Sequence, residues 1–212
     1  MTDLNRFVSF EGIDYAGKST QIELLKNRLQ EHREQVYVLR EPGGTVISER
    51  IREILLDRKH LEMTREAELL LYSAARNQLV KEKIIPLLEQ GNFIIADRYV
   101  DSTTAYQGYG RKIDLEIIGH INLLATAGLL PSITIFLDLA AEEIENRRQS
   151  RNRSRDRMEQ SGTDFYKIIR EGYFKIAEKD KRRFKVINAS KNVMEIHEEV
   201  WELIKNKFNF NS

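Results

Sequence analysis

The chain has 212 residues, 41% apolar and 32% charged, and no cysteine, which fits one domain with a real core and excludes disulfides and thiolate metal centres. Lys and Arg number 34 against 33 Asp and Glu, so the net charge of +1 supplies no general attraction for a polyanion. The apolar runs are too short to span a bilayer, and the start "MTDLNRF" has no basic-then-apolar signal pattern, so a cytoplasmic protein without a membrane partner is expected.

Short apolar runs alternate with amphipathic segments from one end to the other. Residues 6–10, 36–39, 93–96, 133–138 and 184–187 are brief and rich in Val, Ile and Phe, and four of them are nearly continuous, as in strands covered on both faces. Helical periodicity covers 18–32, 46–57, 64–89, 114–127, 161–181 and 193–207. Ile47, Ile51, Ile54 and Leu55 share one face of the second helix. Val193, Ile196, Val200, Leu203 and Ile204 form a core-facing stripe on the last, with Trp201 beside it as a packing residue. This alternation predicts an α/β fold with a parallel sheet between two helical layers, in one domain spanning 1–212. Ligands of such sheets bind at the carboxyl ends of the strands. His32, His60, His120 and His197 are never spaced as metal ligands.

After the first strand comes "FEGIDYAGKST" (10–20), in which Gly12, four residues, and Gly17-Lys18-Ser19 fit the P-loop pattern between a strand and a helix. Gly12, Ile13, Asp14, Tyr15, Ala16, Gly17, Lys18, Ser19 and Thr20 form the expected ATP cradle. The glycines let backbone N–H groups close on phosphate oxygens, and the helix adds its positive end. Lys18 can reach the β and γ phosphates, and the Ser19 hydroxyl can ligate Mg²⁺. Asp14 would be repelled by phosphate. It either shapes the loop through backbone N–H groups or turns outward to a hydroxyl in a neighbouring site.

The second strand ends in "LREPGGT" (39–45), whose Pro42-Gly43-Gly44 forces a turn where ligands bind. Arg52 in the following helix is either a solvated charge or a second guanidinium for a phosphate. In "LLLYSAARNQLV" (69–80), Tyr72 and Arg76 are four apart and share a helix face, which suits a planar base that is stacked and hydrogen-bonded. A core-edge tyrosine with a surface arginine fits the same spacing. The third strand ends in Asp97-Arg98, an acid able to hold Mg²⁺ or its waters and a fork able to grip phosphate. "STTAYQGYG" (102–110) adds hydroxyls, Gln107 and two glycines, Gly108 and Gly110, expected as loop punctuation. Residues 147–157, "RRQSRNRSRDR", hold six arginines in eleven positions.

Together with "DRMEQSGTDFYKIIREGY" (156–173), these stretches resemble the bacterial type of the thymidylate kinase family, in order and across almost the whole chain. The resemblance implies a three-layer P-loop NTPase fold with a five-stranded parallel sheet, a short mobile lid near 147–160 and a homodimer. It implies Mg²⁺-dependent transfer of the γ-phosphoryl group of ATP to dTMP. Asp14 matches the acid that contacts the acceptor sugar, Tyr72 the stacking aromatic (usually phenylalanine), Arg76 the base reader, and Arg52 and Arg98 the acceptor-phosphate contacts. Glu41, Pro42, Thr103, Tyr106 and Gln107 fall in the acceptor-site motifs. Tyr15 is a departure. Some members carry an arginine there and others a glycine with arginines supplied by the lid. Tyrosine brings no positive charge at neutral pH, so the catalytic charge, with Lys18 and Arg98, is expected from the lid. Arg153 is favoured and Arg151 and Arg157 are alternates. The adenine is expected near Arg147 or Arg148 and "NAS" (188–190).

A P-loop kinase with another acceptor is the nearest alternative reading. A nucleotide-dependent nucleic-acid binder is suggested by the arginine run and "KDKRRFK" (179–185), but no aromatic interrupts 147–157. A GTPase-like switch lacks a guanine-reading "NKxD" segment. The expected partners are therefore ATP and dTMP, not nucleic acid.

Overall fold

The computed structural model describes residues 6–149, 157–158 and 162–210. Among these, strands β1 (Phe7–Glu11), β2 (Val36–Arg40), β3 (Phe93–Asp97), β4 (Ile133–Asp138) and β5 (Phe184–Asn188) form one parallel sheet in the order β2-β3-β1-β4-β5. All five residues of β1 are buried, because neighbours pair on both edges and helices cover both faces. Its side chains alternate: Phe7 joins the cluster of Leu79, Val80, Ile94 and Tyr99, while Val8 and Phe10 join Leu25, Phe136, Ile169 and Val200. Between β1 and β4, Ser9 and Thr134 lie opposite each other and their hydroxyls hydrogen-bond at 2.7 Å, so a polar pair is buried without loss.

The helices are α1 (Lys18–Glu31), α2 (Val46–Leu56), α3 (Arg65–Leu79), α4 (Ile85–Glu89), α5 (Val100–Thr103), α6 (Leu115–Thr126), α7 (Glu143–Gln149), α8 (Gly162–Lys179) and α9 (Val193–Phe208). Side chains set their starts: Thr45 accepts from the Ser48 N–H, Thr64 from the Ala67 N–H, and Asn192 and Glu195 make a reciprocal capping box. Of the apolar stripe read on α2, only Leu55 is buried, and Ile47 and Ile54 remain exposed.

Two elements differ from the sequence reading. The single helix expected over 64–89 is interrupted by a π turn, Val80–Ile84, before α4. Pro86 has no N–H to continue the ladder and its ring crowds the carbonyl four residues back, so the turn widens there. The loop expected around Gly108 and Gly110 is helical, α5 running into a π turn over Thr104–Gly110. Its glycines serve close packing: a Cβ on Gly108 would lie 2.7 Å from Leu115 Cδ2, and one on Gly110 2.8 Å from Phe165 Cε2. Local sequence marks glycine as a breaker, but the approach of α6 and α8 decides its use here.

A buried carboxylate locks the top of β1 to these elements. Glu11 Oε1 accepts from the backbone N–H groups of Tyr99 (2.8 Å) and Ser102 (3.2 Å), and Oε2 from the hydroxyls of Ser102 (2.6 Å) and Tyr173 (2.8 Å). Burial, helped by Asp101, pushes this carboxyl up to about 7, against the pull of Arg98 and the hydroxyl bonds.

Two measurements follow from this packing. A Cβ on Gly172 of α8 would lie 2.7 Å from Tyr109 Cδ2 and 3.0 Å from its Cβ. Gly172→Ala is therefore expected to lower unfolding free energy by about 1–3 kcal/mol in urea titrations. For Glu11, an unfolded glutamate ionises near 4.5 while the folded one holds its proton to about 7. Its contribution to stability is thus complete below about pH 4.5 and is lost as pH rises through about 7. Glu11→Gln is expected to remove a loss on the order of 1–3 kcal/mol between about pH 5 and pH 8, read from urea midpoints across that range.

Candidate active site

The loop from β1 to α1 wraps over the carboxyl end of the sheet. Gly12 has φ 142°, and a Cβ there would meet the Leu137 carbonyl oxygen at 2.7 Å, so only glycine lets the loop pass β4. Lys18 is buried and folds back on the loop, its Nζ donating to the carbonyls of Gly12 (3.1 Å) and Ile13 (3.0 Å). Burial and the nearby Arg98 charge push it down to about 8, against Asp97, Asp14 and Glu11. Incoming phosphate would oppose that shift. Ser19 and Thr20 are exposed at the start of α1.

Asp14 lines the cleft beside the loop, and its side chain bonds to other side chains there. It accepts from Arg98 at 2.8 Å and from the Tyr166 hydroxyl at 2.9 Å. Burial raises its carboxyl, but the Arg98 and Lys18 charges and these two bonds outweigh it and hold it below the usual carboxylate range. Arg98 also donates to the Gly12 carbonyl at 2.9 Å and to Ser102 Oγ at 3.3 Å, and its guanidinium lies 5.1 Å above the Tyr106 ring. It thereby joins the end of β3 to the loop after β1.

Beside this junction opens a cleft of about 620 Å³, a volume that includes space open to solvent. Asp14, Glu41, Pro42, Arg52, Tyr72, Arg76, Arg98, Thr103, Tyr106 and Gln107 all line it, so every acceptor residue read from the sequence lies on one wall or another. Arg76 is no surface charge: it is 2% exposed and pairs with Glu41 at 2.6 Å. Further bonds to Thr103 Oγ1 (2.7 Å), Asn122 Oδ1 (3.3 Å) and the Tyr99 carbonyl (3.0 Å) fix it at the cleft wall. Arg52 donates to the Pro42 carbonyl at 2.9 Å. Buried side-chain atoms with no partner among the described residues include Glu41 Oε1, Tyr106 OH and Asp97 Oδ1. Such atoms are costly unless something binds there, and all three belong to candidate site residues.

Ser102, one of the hydroxyls of 102–110, also lines the cleft, as do Leu56 and Met158, which the sequence does not single out, and neither does it single out Tyr166, which orients Asp14. Tyr166 and Tyr173 are seven apart on α8 and both reach the strand ends, a spacing that would have flagged them. Arg147 donates to the carbonyls of Tyr15 (3.3 Å) and Ala189 (2.7 Å), which brings together two of the segments expected at the adenine. Arg151, Arg153 and the Arg148 side chain lie outside the described residues. Arg157 is described, and it is buried against α2 and α3.

Residues 10–200 match the family model described as thymidylate kinase. A thymidylate kinase of Chlorobaculum tepidum is 47% identical over 201 residues, covering 91% of this chain and 94% of that protein. One of Thermoanaerobacter sp. (strain X514) is 42% identical over 200 residues, covering 94% and 97%. The crystal structure of thymidylate kinase from Ehrlichia chaffeensis superposes with a TM-score of 0.76 at 35% identity, covering 94% of this chain and 97% of that one. A P-loop facing a second cleft across Arg98, with near full-length likeness to these proteins, shows that the chain belongs to the thymidylate kinase family.

Proposed function

We infer that the chain phosphorylates dTMP to dTDP with the γ-phosphoryl group of ATP, a step in dTTP synthesis. The observation that carries this reading is the Asp14–Arg98 pair, which joins the phosphate loop to a cleft that also contains Tyr72 and Arg76. The P-loop from Gly12 to Thr20 holds the ATP phosphates through its N–H groups and Lys18. Arg98 and Arg52 hold the acceptor phosphate, Tyr72 stacks on the base, and Arg76, fixed by Glu41, donates to a base carbonyl. Asp14, kept ionised by Arg98 and Lys18, accepts from a sugar hydroxyl. The chemistry is positioning plus charge compensation, so no dedicated base is required.

Ser19 and Asp97 fit a Mg²⁺ site. Asp97 Oδ1 is buried without a hydrogen-bond partner among the described residues. A Mg²⁺ held there would take most of its ligands from phosphates and water. When bound, Mg²⁺ offsets charge on the β and γ phosphates. Arg153 is the proposed lid arginine, because Tyr15 brings no charge and Arg157 is already engaged elsewhere. A homodimer is supported by α3 and the two helices that pack on it, α2 and α6, which together expose Val46, Leu70, Ile117 and Leu124. Among the described residues no helix is long and apolar enough to cross a membrane, and the proposed setting is the cytoplasm.

ADP release with ATP and Mg²⁺ is expected to be strong with dTMP, weak with dUMP, and near background with UMP, CMP, AMP, GMP or thymidine. Turnover dominated by another acceptor would discard the Tyr72–Arg76 base site, and none above the no-acceptor control would discard the activity. Arg153→Ala is expected to reduce turnover by a factor on the order of 10³ while Arg151→Ala has a much smaller effect. The reverse order would move the role to Arg151.

A further inference from the structure

Glu68 of α3 is buried, one helical turn before Tyr72, and four donors from three places converge on it. Its Oε1 accepts from Gln107 Nε2 at 2.9 Å and Arg111 Nε at 3.2 Å. Its Oε2 accepts from a terminal nitrogen of Arg111 at 3.3 Å and pairs with one of Arg157 at 2.7 Å. Arg157 is held again at α2, where its Nε donates to the Leu55 carbonyl at 2.8 Å and its backbone N–H to that of Leu56 at 3.4 Å. Gln107, Leu56 and Met158 line the acceptor cleft. One carboxylate therefore joins the cleft wall to the residue that ends the arginine-rich run.

The charges do not balance locally. Two guanidiniums share one carboxylate, and the other terminal nitrogen of Arg157 is buried with no partner among the described residues. Burial raises the Glu68 carboxyl, but the bonds from Gln107 and Arg111 and the two arginine charges hold it below the usual range, so it is ionised at neutral pH. As a stabilising device the arrangement is poor, because a buried ion pair contributes little over apolar packing. As a connection it is strict: neither Gln107 nor Arg157 can shift without leaving a buried charge short of partners.

We propose that Glu68 is a positioning residue for phosphoryl transfer, latching Arg157 to Gln107 so that occupation of the acceptor cleft and placement of the end of the arginine-rich segment are coupled. The proposal rests on the acceptor reading of that cleft. Arg157 is then an anchor, and the transferring phosphoryl group is met by another arginine.

The test is steady-state kinetics on the full chain with ATP, Mg²⁺ and dTMP, with thermal unfolding measured in parallel. Glu68→Gln is expected to lower kcat/KM for dTMP on the order of 10- to 100-fold while KM for ATP changes less than about threefold. Arg157→Met is expected to do the same, and the double variant to be no worse than the worse single one, the mark of a pair acting together. Fully additive losses, or folded variants with unchanged kcat/KM for dTMP, overturn the proposal. If Glu68→Gln does not fold, Arg157→Lys decides in its place, since it keeps the charge and loses the fork. A loss of about tenfold in kcat/KM for dTMP at unchanged KM for ATP supports the latch, and unaltered kinetics refute it. Absence of dTMP turnover in the unmodified chain would instead overturn the proposed function, a separate result.

Discussion

Arg98 is the contact on which both halves of the site depend. A parallel sheet sets the ends of β1 and β3 side by side but leaves the loops above them free to diverge. Arg98 closes that gap by donating to the Gly12 carbonyl and to Asp14, two points on the phosphate loop. Its own backbone has φ 72°, an uncommon conformation for a residue with a side chain, held by its N–H bond to the Phe10 carbonyl. Strain of this kind is kept where the surroundings over-determine it. Below it, Glu11 gathers Tyr99, Ser102 and Tyr173 around the end of β1. The phosphate loop and the cleft thus share one floor.

The electrostatics favour preorganisation over stability. The Arg76–Glu41 pair, at 2.6 Å and almost fully buried, still leaves Glu41 Oε1 without a partner among the described residues, and burial holds that carboxyl above its ordinary value despite Arg76. Replacing such a pair with apolar groups is commonly neutral or stabilising by about 1–4 kcal/mol. Its position explains it better: Arg76 forms part of the cleft wall with Glu41 and Thr103 fixing its plane. A guanidinium already oriented would lose little entropy on meeting the proposed base. Asp14 follows the same logic, with Tyr166 and Arg98 setting where its oxygens point ahead of the proposed sugar contact.

Much of this was legible locally. The P-loop reads from residue type and spacing, because glycine, lysine and serine each do there what few other residues can. The strands read from short Val-, Ile- and Phe-rich runs, and their alternation with helices leaves few topologies for a parallel sheet. Gly108 and Gly110 were misread because glycine's local preference for turns says nothing of Leu115 and Phe165, which press against them from other elements. Glu68 and Tyr166 went unnoticed for a related reason. Each is an ordinary residue on an amphipathic helix until partners distant in sequence, Arg157 and Asp14, are brought to it.

By itself, then, the sequence determined the glycine-rich loop after the first strand and the strand and helix alternation, both governed by backbone freedom and hydrophobic period over a few residues. Only the tertiary structure decided that Arg76 is a buried wall residue and that Arg157 is spent on Glu68 and α2. Which carboxylate a guanidinium meets is set by contacts between segments tens of residues apart, and these exist only once the sheet has brought its strand ends together.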